Sequence, residues 1–167
     1  KYVIKNGDIV SFDFGVTYNG MITDAARSQI VGQPEKRTAN LLAGTLESLN
    51  AGIETLKDGV RVGDISAAIE TVLNTYGFGI VRELVGHGVG HELHEEPNIP
   101  NYGTAGTGPT LKAGMTIAIE PMTTLGSHKV YTAADDWTIM TSDGSLSAHF
   151  EDTVLITETG SEILTRL

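Results

Sequence analysis

Between residues 9 and 15, Ser11 and Asp13 fall on one side of an alternating pattern and Val10, Phe12 and Phe14 on the other. That period of two predicts a strand with two chemically different faces. A second strand is predicted over 21–31, and the intervening Asn19-Gly20 pair suits a tight hairpin turn. The period then changes. Behind Pro34, which suits the first turn of a helix, Leu42, Leu46, Leu49, Ile53 and Leu56 recur at roughly helical spacing, with Gly59 as the expected end. Asp64 is expected to cap a second helix, whose buried stripe is Ile65, Ala68, Ile69, Val72, Leu73 and Tyr76 and whose stop signal is Gly77. A short strand near 79–84, a Gly/His-rich loop and a Pro/Gly-rich loop over 97–114 follow. Further strands are expected near 116–121, 128–133, 136–141 and 148–157. This order predicts an α+β domain with helices covering one face of a mainly antiparallel sheet.

The faces left free by the helices carry the chemistry. Alternation separates Ala118 and Glu120 from Ile117 and Ile119, as it separates Asp13 from Phe12 and Phe14. If the helices take the apolar sets, the carboxylates point together into a concave, unhelical side. Ionised carboxylates in apolar segments are costly to bury unless a cation compensates them. A single acid of this kind is ordinarily a solvated edge residue. Four acids, Asp13, Asp24, Glu120 and Glu151, sharing a face with His87 make a different case. An oxygen-rich set with one nitrogen suits a pair of hard or borderline divalent ions better than a structural zinc.

His87 lies in Gly86-His87-Gly88-Val89-Gly90-His91-Glu92-Leu93-His94-Glu95-Glu96-Pro97. Its flanking glycines are expected to allow close backbone approach and positive φ. The run is not a zinc-protease HExxH helix, since His91-Glu92-Leu93-His94 has the wrong spacing.

At 167 residues the chain is expected to form one domain, residues 1–167, with a sizeable core. A net charge of −10 leaves no basic patch for a nucleic-acid partner. No apolar run is long enough to span a membrane, and none of the expected elements reads as a signal peptide. With zero cysteines, disulfide and thiol chemistry are excluded, which fits a cytoplasmic protein. The sequence opens on Lys1 directly before a strand and reads like a processed piece or a fragment.

Six segments together resemble the catalytic domain of type I methionine aminopeptidases. They are Phe12-Asp13-Phe14, Ile22-Thr23-Asp24, Gly86-His87-Gly88-Val89-Gly90, His94-Glu95-Glu96-Pro97, Ile119-Glu120-Pro121-Met122 and Ser145-Leu146-Ser147-Ala148-His149-Phe150-Glu151. The resemblance implies the creatinase-like pita-bread fold, a curved mainly antiparallel sheet with helices outside and a dinuclear metal site on the concave face. It implies that Asp13, Asp24 and Glu151 hold one divalent ion. His87 and Glu120 would complete the other, with Asp13 and Glu151 bridging; the metal would be Co, Mn, Fe or Zn. It further implies Glu120 as general acid/base, His94 as a contact to the scissile carbonyl, and Leu93 and Trp137 as pocket-lining residues. His91, His128 and His149 are expected to be loop or surface residues, with His149 at most an outer contact beside Glu151. The implied substrates are peptide and nascent-protein N-termini. Prolidases and aminopeptidases P share the five ligands, and Asp13-Phe14-Gly15 resembles them. Glu120-Pro121-Met122, Asp136-Trp137-Thr138 and Asp143-Gly144-Ser145-Leu146-Ser147-Ala148 resemble the methionine enzymes instead. A non-catalytic peptide-binding or protein-binding module of the same fold is the alternative from another class, and retention of all five ligands argues against it. The family's N-terminal segment, with one substrate-contacting histidine and part of the methionine pocket, precedes the strand of Asp13 and has no counterpart here. Uncovered apolar surface and self-association are therefore expected, and this chain by itself is expected to be a poor or inactive methionine aminopeptidase.

Overall fold

The computed structural model describes residues 2–166. The first strands, β1 (Ile9–Tyr18) and β2 (Met21–Ile30), form the expected hairpin in register from Ile9↔Ile30 to Tyr18↔Met21. At its tip Asn19 and Gly20 both take positive φ, 49° and 80°, the backbone that a two-residue turn with matching twist requires. Helix α1 spans Lys36–Glu54 and α2 spans Val62–Tyr76. Three expected boundaries shift. Pro34 lies before the first turn, α1 stops at Glu54, and Gly59, with φ 83°, serves the turn between the helices. Leu56 is still buried, so the apolar stripe outruns the helix by one contact. Asp64 caps α2 as expected, but from the third helical position and not from the N-cap itself. Its carboxylate accepts the Arg61 and Gly106 backbone N–H groups at 3.0 and 2.7 Å, and these bonds hold its pKa below the ordinary value. Gly77, with φ 69°, closes α2 as expected.

The later strands of the main sheet are β4 (Gly86–Gly88), β5 (Glu95–Ile99), β6 (Thr116–Ile119), β11 (Glu151–Ile156) and β12 (Ser161–Ile163). The sheet runs β1-β2-β11-β6-β4-β5, with β12 added on β11, and adjacent strands pair antiparallel. Two short strands, β3 (Gly79–Ile80) and β10 (Ser147–His149), flank β7 (Met122–Thr124). A separate hairpin joins β8 (Val130–Thr132) to β9 (Ile139–Thr141).

Several of these differ from the expected pattern for local reasons. β4 and β5 fall in segments expected as loops: Gly-His-Gly in β4 is too short to alternate, and β5 carries Pro97 among mostly polar residues. The strand expected over 116–121 breaks at Glu120-Pro121, where Pro121 has no N–H to donate. The strand expected over 148–157 is interrupted at Phe150.

Ile117, Ile119, Val154 and Ile156 from the sheet join Leu41, Leu49, Ile65, Ile69 and Leu73 from the helices in one buried core. Helix α1 packs on β2, β6, β7 and β10, and α2 on α1, β3 and β5. The uncovered apolar surface expected from the sequence lies on β1. Phe12 and Phe14 stack on one another at 6.3 Å between centroids, yet they are 48% and 61% exposed.

Behind Glu151 the sheet is tied by Asp152, which is fully buried. It receives Arg27 and Arg166 at 2.5 Å each and the Thr165 hydroxyl at 2.7 Å. Arg27 also donates to the backbone carbonyl of Glu151. The β2–β11 crossing is thereby fixed on the face opposite the candidate site.

Candidate metal centre

Register alone brings the predicted residues to one face. Directly opposed residues in an antiparallel pair share a face, and so do residues two apart along a strand. Asp13 and Glu151 both oppose Ala26, and Asp24 lies two residues before it. Thr153 opposes Ala118, which also opposes His87, and Glu120 lies two residues beyond Ala118. Asp13, Asp24, His87 and Glu151 therefore project from four strands to the side away from Ile117 and Ile119, and Glu120 joins them from the end of β6.

The side chains converge as the register requires. Asp24, His87 and Glu151 each offer a ligand atom within 4.8 Å of the others, and Asp13, His149 and Glu151 form a second such group. Glu151 belongs to both. This grouping differs from the implied one, in which Asp13 and Asp24 share an ion and His149 takes no part. Glu120 sits between two imidazoles, with Oε1 3.4 Å from His87 Nε2 and Oε2 3.3 Å from His149 Nε2. His87 Nδ1 is 2.9 Å from the Gly88 carbonyl. With Nδ1 carrying the proton for that bond, Nε2 is left with its lone pair facing the carboxylates.

Glycine packing makes the approach of His87 possible. A Cβ on Gly86 would meet the Ala118 carbonyl oxygen at 2.4 Å, and one on Gly88 the Glu96 carbonyl oxygen at 2.4 Å. Neither glycine has positive φ, so close approach is the operative reason and the expected φ is not. Gly88→Ala should therefore lower stability by about 1–3 kcal/mol, as over-packing does. At roughly 2–4 °C per kcal/mol for a domain of this size, thermal unfolding would register it, and an unchanged midpoint would contradict the packing described.

The electrostatics are those of a site built for cations. Glu151 is 2% exposed, and its Oε1 has no hydrogen-bond partner. Burial, followed by the charges of Glu120, Asp24, Asp13 and Asp152, pushes its pKa up to about 9. Asp24 is raised as well, by burial first and then by Asp13. Like charges in such proximity do not all ionise without compensation. An orphaned buried carboxylate oxygen among four acids and two imidazoles fits divalent cations. Asp13 remains 57% exposed at its side chain, which leaves that side of the cluster open to solvent.

The remaining predicted residues divide. The His94 ring lies 4.4 Å from that of His87, edge to face, and so borders the cluster. Leu93 packs over Gly15, two residues beyond Asp13. Trp137 is 86% exposed in the turn between β8 and β9, outside the carboxylate and imidazole cluster. His149 was expected at most as an outer contact, yet it stands inside. Its position two residues before Glu151 was the available signal, because alternation gives both the same face. Asn101, also buried, donates to the Glu120 backbone carbonyl at 3.0 Å and was not foreseen. Beside His149 opens a cleft of about 430 Å³, lined in part by Ile9, Met122, Met140 and Leu146.

The profile of metallopeptidase family M24 matches residues 1–158, and the chain belongs to that family. It is 50% identical over 165 residues to methionine aminopeptidase 1 of Bacillus subtilis, covering 99% of this chain and 66% of that one. The methionine aminopeptidase of Clostridium acetobutylicum is 47% identical over 163 residues, covering 98% of this chain and 65% of the relative. The crystal structure of a methionine aminopeptidase from Thermotoga maritima superposes with a TM-score of 0.96 at 52% identity, covering 99% of this chain and 66% of that one. The fold is thus the pita-bread architecture, and the chain spans about two thirds of the length of these relatives. Among the described residues no helix is long and apolar enough to cross a membrane.

Proposed function

We propose that this chain carries the hydrolytic centre of a methionine aminopeptidase, removing the N-terminal methionine of peptides and nascent proteins in the cytoplasm. Residues 1–167 act in this proposal as a single catalytic domain. The observation that supports it most is the shared position of Glu151, which belongs to both ligand groups and keeps one buried oxygen without a hydrogen-bond partner. Asp13, Asp24, His87, Glu120 and Glu151 would hold two divalent ions. Two bound ions would supply Lewis acidity and a water of lowered pKa.

The chain's own groups then account for the proton movements. Glu120 lies between the two imidazoles, where its carboxylate takes a proton from the attacking water and returns it to the departing amine. His94, at the rim beside His87, donates to the carbonyl oxygen as negative charge develops there. Leu93 and the apolar cleft near His149 offer contact to a substrate's apolar side chain. The uncovered Phe12 and Phe14 on β1 support pairing of this face with other apolar surface, including a second copy of the chain.

The test is release of free methionine from a short Met-Ala peptide by the metal-loaded protein, set against an Ala-Pro peptide. Release from Met-Ala that requires metal, with Ala-Pro left intact, is expected. Cleavage of Ala-Pro in preference would assign the centre to the prolidase type instead.

A further inference from the structure

We propose that His149 is a ligand of the metal centre, giving the Asp13 side of the cluster an imidazole as His87 does for the Asp24 side. The inference rests on the reading that this cluster holds divalent ions. Its own basis is geometric. One nitrogen of His149 lies within 4.8 Å of ligand oxygens of both Asp13 and Glu151. Nδ1 is the nitrogen on the Asp13 side, 3.9 Å from Oδ2, while Nε2 is 3.3 Å from Glu120 Oε2. Glu151 Oε1 is buried without a hydrogen-bond partner, and His149 Nε2, though close to Glu120, is not aligned for a hydrogen bond to it, so two buried polar groups of the cluster are left incompletely satisfied.

The backbone holds His149 in place from both directions. Its N–H donates to Ser28 Oγ at 2.9 Å, and the Ser28 hydroxyl donates back to the His149 carbonyl at 2.9 Å. Ser11 Oγ, 2.7 Å from Ser28 Oγ, completes the arrangement from β1, the strand of Asp13. The side chain is only 15% exposed. A surface histidine would need no such fixing.

In the arrangement proposed, Nδ1 faces the ion and Nε2–H donates to Glu120. The consequence is chemical. Carboxylates alone suit Mn²⁺ and Mg²⁺, whereas imidazole raises relative affinity for Co²⁺, Fe²⁺ and Zn²⁺. With His149 and His87 each supplying one nitrogen, both halves of the centre favour the borderline ions.

Proton NMR of the Co²⁺-loaded chain tests this directly, because a ligating imidazole shows a solvent-exchangeable N–H resonance displaced by the paramagnetic ion. Two such resonances are expected in the unaltered chain and one in His149→Gln. The variant should also bind the second Co²⁺ about tenfold or more weakly, since even outer contacts of metal ligands carry that much. Its preference for Co²⁺ over Mn²⁺ should fall with it. Circular dichroism and a second variant, His149→Ala, separate loss of a ligand from loss of fold. Two displaced resonances that persist in a folded His149→Gln chain would overturn the assignment. So would a single resonance in the unaltered chain, with His149 then contacting Glu120 only. Failure of the unaltered chain to bind Co²⁺ at all would overturn both this inference and the proposed function.

Discussion

Glu120→Gln should keep the fold and lose peptide hydrolysis by about 10²–10⁴-fold, the usual contribution of a positioned general acid/base. The amide is nearly isosteric with the carboxylate but cannot accept the proton of the attacking water. Folding should not suffer. The Glu120 backbone carbonyl keeps its bond from Asn101, and the metal-free cluster loses one of several mutually repelling acids. Because Glu120 also lies 3.4 Å from His87 within the cluster, metal content has to be measured on the same sample. Full turnover at full metal occupancy would remove Glu120 from the proton path.

Glu151→Gln should have opposite effects with and without metal. Metal-free, Glu151 holds its proton up to about pH 9 in the folded chain, against an ordinary value of 4.5. Below the ordinary value both states are protonated, and the difference vanishes. As pH rises above it, the unfolded chain releases the proton and the folded chain does not. Stability therefore falls through the window between the two values, by up to about 1.4 kcal/mol per pH unit while the difference persists. Asp24, raised by the same burial, adds to the fall in the same direction. Thermal unfolding in a chelator should thus show the unaltered chain losing stability from pH 5 to pH 9, and Glu151→Gln losing less. Added divalent metal should reverse the ranking. An ion at 100 times its dissociation constant stabilises by about 2.7 kcal/mol, and the variant lacks the carboxylate common to both ligand groups. A metal-free chain whose stability rises with pH over that window would contradict the electrostatics of the cluster.

Much of this centre is legible in the residues themselves. Asn19-Gly20 specifies a turn that few other pairs adopt, and alternation on β1 and β6 separated Asp13 and Glu120 from their apolar neighbours. What stayed hidden depended on tertiary packing. The strand carrying His87 has only three residues, two of them glycine, and its pairing is decided by the carbonyls of Glu96 and Ala118 pressing against missing Cβ atoms. Uncovered apolar surface follows from the family resemblance alone, and its place on β1 does not, because Phe12 and Phe14 read as core whether or not a helix lies over them. His149 was legible in principle from its spacing to Glu151. Taken alone, however, one imidazole without its neighbours is most often structural. For Trp137, family position suggested a pocket wall, but where an exposed hairpin stands is not written in its own residues.

Calorimetric titration of the metal-free chain with Co²⁺ tests the central claim most directly, because the proposed chemistry depends on how many ions the Glu151 cluster holds. Two ions per chain are expected, the first binding more tightly than the second, with protons released from Glu151 and its neighbours as they bind. One ion per chain, or none bound stoichiometrically, would contradict a dinuclear centre shared through Glu151.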